Sequence, residues 1–226
     1  MEKIIPVYKP VGFSRFDVVK KFKKESGFIQ KVGHGGTLDP FACGVLLLLL
    51  GDGTKKFEEI RGWSKTYLVG IRLGAVSSTQ DVAGEIGMVD CEKFSLLKLK
   101  EVISEMSNRE MIQKVSPFSA AKHKGKPLYK LAIEGNIIEK EKKIVLGNIE
   151  IISFKWPLLT IRVESWHGAY MRQLAEDIGL GLNCKCFVYF LEREKVGEYS
   201  ISDCYKIDKF NNIAKNDGGN KSVINQ

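Results

Sequence analysis

Residues 33–44 hold four glycines and a proline, and they lead directly into six consecutive aliphatic residues, Val45-Leu46-Leu47-Leu48-Leu49-Leu50. A stretch so rich in glycine and proline does not continue as a regular element. The aliphatic run has no polar face to show to water. It predicts a strand covered on both sides and ended by Gly51-Asp52-Gly53. A fold for this chain must bury that strand between two layers and let an irregular loop run into it. Glycine in such a loop lets the backbone approach something closely, often a ligand.

The other elements are read from local patterns. Residues 14–25 predict a helix: Ser14 and Asp17 make the S-x-x-D capped start, and Val18, Val19 and Phe22 recur at helical spacing. Its other side carries Lys20, Lys21, Lys23 and Lys24, a solvated face or one that contacts phosphate. Residues 65–74 alternate, with Tyr67, Val69, Ile71 and Leu73 on one face of a half-buried strand. Helices are expected over 95–107, 127–134 and 170–180, and strands over 144–154, 158–164 and 187–191. Strands and helices mix without strict alternation, which favours an α+β fold with a mainly antiparallel sheet. From residue 211 onward the chain is polar and reads as a flexible tail.

The 226 residues carry 35 Lys and Arg against 27 Asp and Glu, a net charge of +8. A basic surface attracts polyanions such as nucleic acid or an anionic membrane. The longest apolar run is far short of the about 20 residues a spanning helix needs. The N-terminus, Met1-Glu2-Lys3-Ile4-Ile5-Pro6, lacks the pattern of a signal peptide, so a cytoplasmic protein is expected. Five cysteines at scattered positions (43, 91, 184, 186 and 204) do not form a disulfide framework and are expected to be reduced. Cys184-x-Cys186 is too short a pair for a usual zinc half-site, so no metal is expected.

Asp39 is the only carboxylate between Glu25 and Asp52, and Pro40 fixes the backbone after it. An aspartate in such a loop serves as nucleophile, as general base, or as a turn residue bonding its own backbone; the pattern alone favours the turn. His34, in the same loop, suits base stacking or phosphate contact, though a lone loop histidine is more often structural. The loop is not a Walker phosphate loop, since no Gly-Lys-Ser/Thr follows.

Several blocks together carry a resemblance. Lys31-Val32-Gly33-His34-Gly35-Gly36-Thr37-Leu38-Asp39-Pro40, followed by Ala42-x-Gly44, resembles the central motif of the TruB family of tRNA pseudouridine synthases. So do the upstream Tyr8-Lys9-Pro10-x-Gly12-x-Ser14-x-x-Asp17 and the downstream Leu50-Gly51-x-Gly53-Thr54-Lys55. Lys65-x-Tyr67, Asp81-x-x-Gly84-Glu85, Gly168-x-Tyr170-x-Arg172-x-Leu174 and Leu191-x-Arg193 continue the match in order, over about residues 4–200. Such ordered co-occurrence is far more specific than one motif.

The resemblance implies the pseudouridine synthase fold, a mixed, mainly antiparallel sheet flanked by helices, with an inserted RNA-gripping thumb. One catalytic domain is expected over residues 1–210, with the thumb at about 108–142, a tail at 211–226, and no C-terminal PUA domain of the kind bacterial members usually carry. By resemblance Asp39 is the catalytic residue, Tyr67 packs against the base, Arg172 pairs with Asp39, and Leu191 lines the uracil pocket. Read locally, Tyr67 is a core aromatic and Arg172 a partner for Glu176 one helical turn on. RNA contact is expected from His34, from the thumb lysines Lys122, Lys124, Lys126 and Lys130, and from Lys20 and Lys24.

The implied substrate is uridine 55 in the T arm of tRNA, flipped out of its stack for reaction. Isomerisation involves no net oxidation and no group transfer to a second molecule, so no cofactor is expected, nor an obligate protein partner; a monomer is expected. Three positions depart from the family pattern: Gly35 stands where threonine or serine is usual, Ser78 where an aspartate is usual, and Glu192 where an arginine is usual. Two other readings are the catalytic subunit of a guide-RNA pseudouridine synthase and a non-catalytic tRNA chaperone on the same scaffold.

Overall fold

The computed structural model describes residues 2–116, 119, 121–138, 140–166 and 168–215. The chain divides into two compact units. One combines Met1–Trp63 with Arg193–Gln226, and the other is Ser64–Glu192.

The first unit opens with β1 (Glu2–Lys9), α1 (Arg15–Ser26), β2 (Val32–His34), β3 (Cys43–Gly51) and α2 (Phe57–Gly62). Helix α1 starts where the sequence predicts it. The Ser14 hydroxyl accepts from the Asp17 amide and the Asp17 carboxylate from the Ser14 amide, and Gly27 ends it in the left-handed conformation at φ +68°. Strand β3 pairs antiparallel with β1 (Ile5 opposite Leu48) and with β2 (Gly33 opposite Leu49). Thus the start of the glycine-rich stretch is a short strand, where the sequence suggested irregular chain.

Strand β3 is buried on both faces. Leu46, Leu48 and Leu50 pack with Val18 and Phe22 of α1, while Val45, Leu47 and Leu49 pack with Ile60 of α2 and Val196. Each such leucine contributes about 1.5–3 kcal/mol relative to exposure.

The second unit contains β4 (Lys65–Leu73), β5 (Ala75–Ser77), β6 (Ile86–Met88), α3 (Leu96–Met106), β7 (Arg109–Lys114), β8 (Lys122–His123) and β9 (Lys126–Pro127). It continues with α4 (Leu128–Ile133), β10 (Glu141–Lys155), β11 (Leu158–Trp166), α5 (Met171–Gly181) and β12 (Cys186–Val196), whose last residues, from Arg193, belong to the first unit. Strands β4, β11, β10 and β7 pair antiparallel in that order, with Tyr67 opposite Val163. The alternation predicted for β4 is present: Tyr67, Val69, Ile71 and Leu73 are buried.

The segment expected as an insertion over 108–142 opens with β7, which pairs with β10 at the sheet edge. What lies between is the β8–β9 hairpin and α4. Lys124 and Gly125 turn the hairpin at φ +47° and +85°. Within the expected thumb, Pro117 and Ala120 lie outside the described residues, as do the side chains of Lys122 and Tyr129.

The chain re-enters the first unit and adds β13 (Tyr199–Ser200), β14 (Tyr205–Lys206) and α6 (Phe210–Lys215). Strand β14 pairs parallel with β1. Helix α6 corrects the expected tail: Phe210 is fully buried, edge-on to Phe22 at 5.3 Å, and Ile213 joins the same cluster. Two apolar residues three apart in a polar stretch were too weak a pattern to announce it. The rest of the expected tail, 216–226, lies outside the described residues.

A second correction concerns the cysteines. Cys91 and Cys184 form a disulfide within the second unit, closing 93 residues of chain, while Cys43, Cys186 and Cys204 carry thiols. No spacing pattern links positions so far apart. Among the described residues, no helix is long and apolar enough to cross a membrane.

Candidate active site

Asp39 lies in the first unit on a turn closed by the Ala42 amide donating to the Asp39 carbonyl (3.1 Å). The backbone on either side is fastened. The Pro40 carbonyl accepts from the Gly12 amide at 2.8 Å and from Lys9 Nζ at 3.4 Å. Lys9 also donates to the carbonyls of Phe13 (2.8 Å) and Pro10 (3.0 Å). Burial pulls the Lys9 pKa down to about 8; Cys43 and Asp39 oppose the shift, and Arg193 adds to it. Leu38, just before Asp39, is buried.

Arg193, at the end of β12, is 1% exposed and donates through Nε to the Val45 carbonyl (2.8 Å) and through Nη1 to the Thr37 carbonyl (3.0 Å). Gly44, at φ +109°, makes room for it: a Cβ there would lie 2.3 Å from the Arg193 carbonyl oxygen. At the departure Gly35, a Cβ would meet Ile60 Cγ2 at 2.8 Å and Leu47 Cβ at 3.1 Å, so α2 and β3 leave no space for the usual threonine or serine.

His34 sits on β2, half-buried between two aromatic rings, edge-on to Phe16 (6.3 Å) and Phe57 (6.4 Å). Its Nδ1 accepts from the Gly36 amide (3.4 Å). Burial, helped by Arg15 and Arg193, lowers its pKa to about 4. The ring is therefore neutral near pH 7 and carries its proton on Nε2, as a hydrogen-bond donor. Lys20 and Lys24 are exposed on α1, while Lys21 pairs with Glu25.

In the second unit, Tyr67 is 7% exposed and Leu191 is 4% exposed. Arg172 is on the first turn of α5, whose entry is fixed by Gln113: its amide Oε1 accepts from the Tyr170 N–H (2.9 Å) and its Nε2 donates to the Tyr170 carbonyl (3.3 Å). Arg172 Nη1 lies 3.2 Å from Asp81 Oδ2 and donates to the Thr79 carbonyl (3.0 Å). Both members of this ion pair are more than nine-tenths buried. Asp81 Oδ1 in turn accepts from Thr79 Oγ1 (2.7 Å) and the Ala83 amide (2.9 Å).

Asp81 is thus a partner of Arg172 that the local reading, which looked to Glu176, missed. Glu176 is instead pushed up in pKa by burial, against a hydrogen bond from Gln80. At the departure Ser78, the hydroxyl accepts from the Glu85 amide (3.0 Å) and closes the loop that carries Asp81.

Lys124, Lys126 and Lys130 are exposed; Lys126 is 4.0 Å from Glu134, a surface pair worth little. Among the described residues, no group of three or more His, Cys, Asp or Glu side chains converges as metal ligands would. Asp39, His34, Lys9 and Arg193 share the first unit; Tyr67, Arg172, Asp81 and Leu191 share the second. The sequence singled out neither Lys9 nor Arg193 for a role, although both stand inside its quoted motifs.

The N-terminal-domain model of the TruB family pseudouridylate synthases matches residues 23–171. The chain is 38% identical over 214 residues to the tRNA pseudouridine synthase B of Clostridium tetani, covering 93% of this chain and 73% of that protein. It is 36% identical over 206 residues to the protein of that name from Dehalococcoides mccartyi, covering 90% and 68%. Among solved structures, a Cbf5-Nop10-Gar1 complex matches with a TM-score of 0.72 at 24% identity, covering 96% of this chain and 56% of that one. An archaeal box H/ACA sRNP Nop10-Cbf5 complex matches with a TM-score of 0.67 at 21% identity, covering 95% and 55%. The chain thus spans little more than half of those solved chains, and the likeness to them is one of fold.

Proposed function

Because this chain belongs to the TruB family of pseudouridylate synthases, we propose that it isomerises uridine 55 in the T loop of tRNA, with Asp39 as the catalytic carboxylate. The observation that carries the residue assignment is the bracing of the Asp39 turn. Buried cations fasten the carbonyls of Pro40 and Thr37, on either side of Asp39. An aspartate serving only as a turn former needs no such support, whereas a reacting group gains from being held in one geometry.

In the reaction, the bond from ribose C1′ to uracil N1 breaks, the base turns, and C1′ bonds to C5. The C5 proton leaves and N1 takes one up. Asp39 acts on the uracil ring or the ribose. Arg172 is the active-site arginine of the reaction. Its own orientation is supported by Asp81 and the Thr79 carbonyl. Tyr67 packs against the flipped base and assists proton transfer at C5, and Leu191 lines the uracil pocket.

Neutral His34 holds the T loop with its target flipped out. Lys20, Lys24, Lys122, Lys124, Lys126 and Lys130 contact the phosphate backbone. The protein acts in the cytoplasm as a monomer, without an obligate protein partner. The test uses purified protein, an unmodified tRNA transcript, and chemical mapping of pseudouridine. Modification at the T-loop uridine is expected; tRNA binding without modification would contradict the proposal.

A further inference from the structure

Among the described residues, the largest fully buried side chains include two cations, Arg193 and Lys9. Arg193 is the more demanding case. Burying a guanidinium without a carboxylate is costly, and among the described residues its hydrogen bonds go to main-chain carbonyls alone. A methionine would fill much of the same space without a charge. What the arginine adds is its fork. Nε reaches the Val45 carbonyl and Nη1 the Thr37 carbonyl, so one rigid group joins the two ends of the loop that contains Asp39. Gly44 lets that loop pass close against the Arg193 backbone, where any side chain would collide.

We propose that Arg193 is a positioning residue for the isomerisation: a clasp across residues 37–45 that holds the Asp39 carboxylate in its reactive geometry. The inference rests on Asp39 being the catalytic carboxylate. It does not require Arg193 to touch the substrate, and its burial excludes direct contact with tRNA. Lysine is no substitute, because a single ammonium on a flexible stem lacks the planar fork that spans both carbonyls.

The experiment compares wild type, Arg193→Met and Arg193→Lys. Three quantities are read: the single-turnover rate of pseudouridine formation at saturating enzyme, the Kd for tRNA, and hydrogen–deuterium exchange of the peptide covering 37–43. A displacement of about 1 Å in a reacting group costs about 100-fold in rate. Arg193→Met should lose that much, with Kd within about 3-fold of wild type and faster exchange confined to the loop. Arg193→Lys, which keeps the charge and one hydrogen bond, should fall between the two and show the same exchange change. It serves alone if Arg193→Met does not fold.

A folded Arg193→Met at the wild-type rate would overturn the clasp, as would Arg193→Lys with wild-type rate and exchange. So would a rate loss matched by an equal loss of tRNA affinity. Those outcomes require an active wild type and leave the uridine reading standing; an inactive wild type would remove that reading itself.

Discussion

Replacing Asp81 by asparagine would isolate one charge in the second unit. Asp81 and Arg172 are each more than nine-tenths buried, with Arg172 Nη1 3.2 Å from Asp81 Oδ2. Asparagine can keep its oxygen on the Thr79 hydroxyl and the Ala83 amide, which Asp81 Oδ1 now serves. Its amide nitrogen then faces the guanidinium, donor against donor. Breaking a buried pair by removing one partner costs about 3–5 kcal/mol, and the retained bonds place this variant near the lower end, about 3 kcal/mol. Total stability is about 5–15 kcal/mol, so the protein should remain folded. With a urea m-value of about 2–3 kcal/mol/M, the midpoint should fall by about 1–1.5 M at unchanged m.

Loosening Arg172 should also slow single-turnover pseudouridine formation by about 10- to 100-fold. The decisive comparison is the double-mutant cycle with Arg172→Met. The double variant should be at least about 2 kcal/mol more stable than the sum of the two single losses predicts, since each single change strands the other's partner. Losses that add within about 0.5 kcal/mol would refute the claim that these side chains support each other.

Further outcomes follow from other parts of the structure. His34 has a pKa lowered from 6.5 to about 4, so its contribution to stability is complete above pH 6.5 and disappears as pH falls toward 4. The urea-midpoint gap between wild type and His34→Gln should therefore shrink from pH 7.5 to pH 4.5, and a constant gap would contradict the buried, neutral ring. Alkylation of the unreduced, denatured protein should label three cysteines, because Cys91 and Cys184 are joined; five labels would contradict the disulfide. Changing Lys124, Lys126 and Lys130 together to glutamine should weaken tRNA binding and make the log–log salt slope shallower by about 2–3. An unchanged slope would place phosphate contacts elsewhere.

What was legible in the sequence was local. The capped start of α1 needs only Ser14 and Asp17, three residues apart, and the structure shows both hydrogen bonds. The double burial of β3 was legible because six aliphatic residues in a row leave no face for water. The buried face of β4 follows from its alternation. Partnerships between residues far apart in the chain are of another kind. Arg193 meets Thr37 across 156 residues, Arg172 meets the Thr79 carbonyl across 93, and Cys91 meets Cys184 across 93. Hydrophobic period and turn chemistry report on neighbours along the chain and carry no record of such pairs. Asp39 itself was singled out by the ordered motifs, while on loop composition alone it read as an ordinary turn residue. The short strand β2 was hidden because glycine content argues against a strand, whereas pairing with β3 decides it.

Asp39-dependent isomerisation is tested most directly by release of tritium from tRNA labelled at uracil C5, since forming the C1′–C5 bond expels the C5 hydrogen. Wild-type protein should release one equivalent of tritium per tRNA from the T-loop uridine, and Asp39→Asn should release none while binding tRNA as tightly. Release by Asp39→Asn at the wild-type rate would contradict the account.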